Sequence, residues 1–138
     1  MDNELKRELI IENFNNPTNK GLLNDPEYIS LEKNNSSCID HFKIELKIED
    51  NIIKDIRFDG EACAIATSSL SIAISTLIGK TKEEALNIID NYNKMIAHEE
   101  FDKDVLKELI IYEDISKQPA RVNCATLGID GIKDILKK

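Results

Sequence analysis

The 138-residue chain has no long unbroken apolar run. The nearest approach, Ala62 to Gly79, is interrupted by Thr67, Ser68, Ser69, Ser71, Ser75 and Thr76. It is too short and too rich in hydroxyls for a membrane span, and reads as a buried helix. The start, Met1-Asp2-Asn3-Glu4-Leu5-Lys6-Arg7, is charged and lacks the apolar segment of a signal peptide. A cytoplasmic protein is therefore expected, with no membrane partner. Excess basic charge is also missing. Lys and Arg number 18 against 26 Asp and Glu, a net charge of −8, so nothing steers the chain toward nucleic acid or an anionic membrane. An acidic surface suits solubility or a partner with a basic patch. Cysteine is scarce: Cys38, Cys63 and Cys124 only. Stable disulfides are not expected in the cytosol, and an odd count leaves at least one thiol unpaired. That leaves metal binding, catalysis or core packing. No C-x-x-C pair, internal repeat or linker is present, so a single domain over residues 1–138 is expected, with a monomer favoured.

What is there is a globular composition, 41% hydrophobic and 32% charged, enough to build a core. Leu5, Leu9, Ile10 and Phe14 lie at helical spacing over residues 3–14, and Asn16-Pro17 ends that helix. Residues 16–27 read as a loop, and a short strand is expected near 28–33. Phe42, Ile44, Leu46 and Ile48 alternate with Lys43, Glu45, Lys47 and Glu49. That period of two means a strand with one buried face. Asp50-Asn51 forms a tight turn, and 52–58 is the returning strand of a hairpin. A buried helix follows over 63–78, stopped by Gly79. Thr81 with Glu84 makes a capping box for a helix to about Ala97. Another helix is expected over 102–112, a loop through Pro119, and a last helix over 124–137 that Gly128 and Gly131 weaken. Strands first and helices after them give an α+β fold, a small antiparallel sheet of about three strands packed against several helices.

If the alternation of residues 41–49 extends backward, Cys38 and Asp40 share the core-facing side with Phe42 and Ile44, while His41 points outward. A carboxylate on that side is costly unless it is paired or bound to a metal. Cys63 opens one helix and Cys124 the last, where helix N-termini favour thiolates. Three sulfurs and a carboxylate satisfy four-coordinate zinc. The long gaps between them leave the alternative open that the cysteines are small buried hydrophobes and Asp40 a strand-edge charge. Arg121, three residues before Cys124, either steadies a thiolate or persulfide or makes a surface salt bridge. His41 and His98 read as exposed.

Three segments carry a resemblance. Asn16-Pro17-Thr18-Asn19-Lys20-Gly21 resembles an N-P-x-N-x-G segment, Phe58-Asp59-Gly60-Glu61-Ala62-Cys63-Ala64-Ile65 an F-x-G-x-G-C-x-I turn, and Pro119-Ala120-Arg121-Val122-Asn123-Cys124-Ala125-Thr126-Leu127 a P-x-R-x-x-C-A-x-L segment. In order and spacing they are similar to the SufU branch of the IscU/SufU/NifU-N-like family of iron–sulfur cluster assembly proteins, over about residues 5–136. Asn123 stands where IscU proteins carry histidine, and the stretch from Cys63 to Cys124 has room for a helical insertion within 80–112; both favour the SufU branch. The resemblance implies zinc held by Cys38, Asp40, Cys63 and Cys124. It also implies a sulfurtransferase role in which Cys38 accepts persulfide sulfur from a SufS-like cysteine desulfurase. A scaffold binding a [2Fe–2S] iron–sulfur cluster is the alternative, and a purely structural zinc a third reading. The chain departs from the family pattern at Ile39 and Ala62, which replace glycines beside two of the cysteines.

Overall fold

The computed structural model describes residues 1–35 and 39–138. Their order is α1 (Asn3–Asn15), β1 (Ile29–Asn34), β2 (His41–Glu49), β3 (Ile52–Asp59), α2 (Ala64–Leu77), α3 (Lys82–Ile96), two 3-10 segments (Lys103–Val105 and Lys107–Lys117) and α4 (Pro119–Leu136). The strands form one antiparallel sheet in the order β1-β2-β3, so the expected α+β architecture is found. Asp50 and Asn51 both take positive φ, 53° and 64°. That is the primed two-residue turn whose twist matches a hairpin. No described helix is long and apolar enough to cross a membrane.

Period two in β2 does what it should: Phe42, Ile44 and Leu46 are fully buried on the side covered by helices. A register shift between Lys47 and Ile48 resets the parity of β3, so that Ile53, Ile56 and Phe58 are all buried. The other face of the sheet is covered as well, which alternation alone did not indicate. The segment after α1 crosses it, and Glu45 is 2% exposed there. Its carboxylate accepts the N–H groups of Leu23 and Asn24, and Arg57 Nε donates to the Gly21 carbonyl at 2.8 Å. A charge is tolerated under this loop because the loop's own amides satisfy it.

α2 sits between α1, α4 and the second 3-10 segment, which is why every residue from Ala66 to Ile74 is buried. Its serines avoid an unsatisfied burial: Ser69 donates to the Ala66 carbonyl, Ser71 to Asn13 Oδ1, and Ser68 accepts from the Tyr112 hydroxyl. The Thr81–Glu84 capping box is present at α3. Two expectations fail. Residues 102–112 are not an α-helix; they lie in two 3-10 segments, the second reaching Lys117, with Lys107 at φ 51° where they meet. In a 3-10 segment side chains three apart line up. Leu106, Leu109, Tyr112 and Ile115 have that spacing and are all buried. The loop through Pro119 is also absent. Pro119 instead opens α4, where its missing N–H costs nothing and its fixed φ suits the first turn.

Gly128 and Gly131 do not weaken α4 so much as let it approach. A Cβ at Gly128 would stand 2.9 Å from Leu70 Cβ, and one at Gly131 would stand 2.6 Å from Ile44 Cδ1. Replacing a helical glycine with alanine ordinarily stabilises by about 1 kcal/mol, while overpacking costs about 1–3 kcal/mol. Leu70 Cβ is rooted on α2 and cannot swing away. Gly128→Ala is therefore expected to be destabilising, by about 1 kcal/mol net, in urea unfolding; a gain in stability would show that α4 has slack.

Candidate metal centre

The site is assembled where the start of β2 meets the start of α2. Two loops lie side by side there: Asn35 N donates to the Asp40 carbonyl at 3.0 Å, and His41 N to the Glu61 carbonyl at 2.9 Å. Gly60 permits this approach. It has φ 130°, and a Cβ on it would lie 2.1 Å from the His41 carbonyl oxygen, so no other residue fits. Ala62 is not among the positive-φ positions, so its replacement of a family glycine brings no backbone strain.

Asp40 is 2% exposed. Its Oδ1 accepts the backbone N–H of Cys63 at 2.8 Å, and its Oδ2 lies 3.6 Å from Cys63 Sγ. Cys63 is the N-cap of α2, and its Sγ accepts from Ala66 N at 3.5 Å. The sulfur thus stands where a serine oxygen would cap the helix. Cys124 does not begin its helix, contrary to the expectation from sequence. Because α4 starts at Pro119, Cys124 lies in its second turn, beyond the reach of a helix N-terminus. It is buried instead, facing the other two side chains. One ligand atom each from Asp40, Cys63 and Cys124 lies within 4.8 Å of the others, and both described cysteines are free thiols.

This convergence has an electrostatic consequence. The Cys124 thiol is pushed up to about 12, by its burial first and by Cys63 and Asp40 beside it. Two further acidic side chains lie against this buried thiol, and both oppose its ionisation. A divalent cation removes that opposition, and the donor set of two sulfurs and one oxygen fits zinc.

The remaining candidates are placed as follows. Cys38 lies outside the described residues; its neighbour Ile39 is 86% exposed. Arg121 is exposed in the first turn of α4, with no ion pair among the described residues. His41 is turned outward, 3.7 Å from Glu32, and His98 is exposed past the end of α3 with φ 62°. The sequence reading overlooked the cleft of about 250 Å³ beside Cys124, lined by Asn35, Asn123, Thr126 and Asp130 among others. The i, i+3, i+7 spacing of Asn123, Thr126 and Asp130 on α4 was the available signal.

Residues 5–137 match the family described as the NifU-like N terminal domain. The zinc-dependent sulfurtransferase SufU of Bacillus subtilis (strain 168) is 36% identical over 125 residues, 90% of this chain and 84% of that protein. The iron–sulfur cluster assembly scaffold protein IscU of Thermotoga maritima is 37% identical over 131 residues, 95% of this chain and 92% of that one. A crystal structure from Fervidobacterium islandicum AW-1, described as an iron–sulfur cluster assembly scaffold protein for the SUF system, superposes with a TM-score of 0.85 at 30% identity, covering 98% of this chain and 99% of that one.

Asp40 is the ligand candidate most open to test. Loss of an outer hydrogen-bond partner alone lowers metal affinity about 10–100-fold, so Asp40→Ala is expected to weaken zinc binding by about 100-fold or more in competition with a chromophoric chelator. Unchanged affinity would remove Asp40 from the site.

Proposed function

Because the chain belongs to the family of the NifU-like N-terminal domain, whose members serve iron–sulfur cluster assembly, we propose that it is a zinc-dependent sulfurtransferase that accepts persulfide sulfur from a cysteine desulfurase. The observation that carries this reading is the meeting of Asp40, Cys63 and Cys124 within 4.8 Å, with Cys38 the fourth ligand by its position in the family pattern. Zinc, when bound, holds these thiols as thiolates and offsets the repulsion among them.

The residues of the chain divide the remaining work. Asp40 fixes Cys63 by accepting its backbone N–H. Cys63 caps α2, its Sγ accepting the N–H of Ala66. Cys124 is kept from solvent by the packing of α4 and stays with the site. Cys38 is the sulfur acceptor, as the resemblance implies. Its thiolate attacks the terminal sulfur of the desulfurase persulfide; a new S–S bond forms on Cys38 as the old one breaks, and the desulfurase cysteine leaves as a thiolate. The exchange is redox-neutral and needs no further reactant. Exposed Arg121, one turn before Cys124, is positioned to meet the negative charge of an incoming persulfide. The reaction takes place in the cytoplasm.

A second reading is favoured by one observation: the Thermotoga scaffold protein is as similar to this chain as the Bacillus sulfurtransferase. In that reading the same side chains hold a [2Fe–2S] cluster. Asn123, where IscU proteins carry histidine, is exposed on α4 and lines the neighbouring cleft, which weighs against a fourth nitrogen ligand.

Purified protein mixed with its cognate desulfurase and cysteine is expected to raise desulfurase turnover, and Cys38→Ala to leave it at the rate of the desulfurase alone. No stimulation by the wild type would end the relay reading; full stimulation by Cys38→Ala would end the assignment of the acceptor. The metal content separates the two readings. A colourless protein with about one zinc per chain is expected, whereas a brown protein containing iron and sulfide would favour the scaffold.

A further inference from the structure

Asn93 and Asp130 face each other where α3 meets α4. Asn93 Nδ2 donates to Asp130 Oδ1 at 3.2 Å. The other half of the same amide, Asn93 Oδ1, is buried without a hydrogen-bond partner among the described residues. Turning the amide over is no remedy: it would set oxygen against the carboxylate and bury an unpaired N–H₂ instead. The group that can supply the missing proton is the carboxyl already bonded to this amide.

The surroundings of Asp130 favour keeping that proton. Lys33 on β1 and Lys133 on α4 favour the ionised form and Asp134 on α4 opposes it, but the Lys33 ammonium is engaged by Asp134 at 2.6 Å. Tyr92 on α3, also near, is neutral and gives its hydroxyl proton to the Ala125 carbonyl. Burial therefore dominates and holds the carboxyl above the ordinary carboxylate range.

We propose that Asp130, when protonated, closes a reciprocal acid–amide pair with Asn93, its O–H donating to Asn93 Oδ1 while Asn93 Nδ2 donates to Asp130 Oδ1. The pair is a proton-linked clasp between α3 and α4, the helix that carries Cys124. Ionisation removes one of its two donors, leaves Asn93 Oδ1 facing a carboxylate oxygen, and loosens α3 from α4. Asp130 also lines the cleft beside Cys124, so its proton exchanges with solvent without local unfolding. The inference is independent of the sulfur-transfer reading.

Two measurements on the full chain test it. In carboxyl ¹³C NMR, with the resonance assigned by its loss in Asp130→Asn, the Asp130 midpoint is expected above the ordinary value of about 3.9. A midpoint at or below that value overturns the proposal, and a bridging water in place of the carboxyl proton would give that result. In urea unfolding between pH 4 and 7, Asp130→Asn presents one N–H donor and one acceptor at every pH, as the acid does only when protonated. A folded-state carboxyl raised above its unfolded value contributes stability that is complete below the unfolded value and lost as pH rises through the folded one. The wild type is therefore expected to lose stability relative to Asp130→Asn as pH rises. A difference constant with pH overturns the clasp.

Discussion

Asp40 Oδ1 accepts the backbone N–H of Cys63 at 2.8 Å, joining the approach to β2 to the first turn of α2. The rest of the site depends on this bond. It holds a carboxylate oxygen 3.6 Å from a thiol sulfur. It also requires Gly60, because the two loops run so close that a side chain there would collide with the His41 carbonyl. The third member arrives by a different route. Cys124 is delivered by α4, whose depth is set by Gly128 against Leu70 of α2 and Gly131 against Ile44 of β2. The elements that carry Cys63 and Asp40 are therefore the ones that α4 packs on. Helix depth and site geometry are one constraint.

Such a cluster is electrostatically unfavourable by itself. Burial and two acidic neighbours raise the Cys124 thiol to about 12, so the assembled site resists the ionisation that would make it a good set of ligands. Metal binding then releases protons and couples to the stability of the fold. Ile39, next to buried Asp40, is exposed.

Much of this was legible in the sequence because it rests on local rules. Period two along β2 separated inward Asp40 from outward His41. The Asp50-Asn51 turn and the Thr81–Glu84 box set boundaries by backbone chemistry. Where long-range packing decides, sequence reading went wrong. The pattern suggests a loop through Pro119, yet proline also begins helices, and α4 starting there puts Cys124 in its second turn and not at its start. The helix expected over 102–112 is replaced by 3-10 segments, in which the buried Leu106, Leu109, Tyr112 and Ile115 repeat at three. Glu45, on the polar side of an alternating strand, is buried by a distant loop that pattern alone cannot bring there. Gly128 and Gly131 look like defects until the side chains that need the space are known.

Zinc K-edge X-ray absorption of the zinc-loaded protein tests the central claim, that Asp40, Cys63 and Cys124 form one metal centre. The account predicts a coordination shell dominated by sulfur at about 2.3 Å with an oxygen at about 2.0–2.2 Å. A shell of nitrogen and oxygen alone would contradict it.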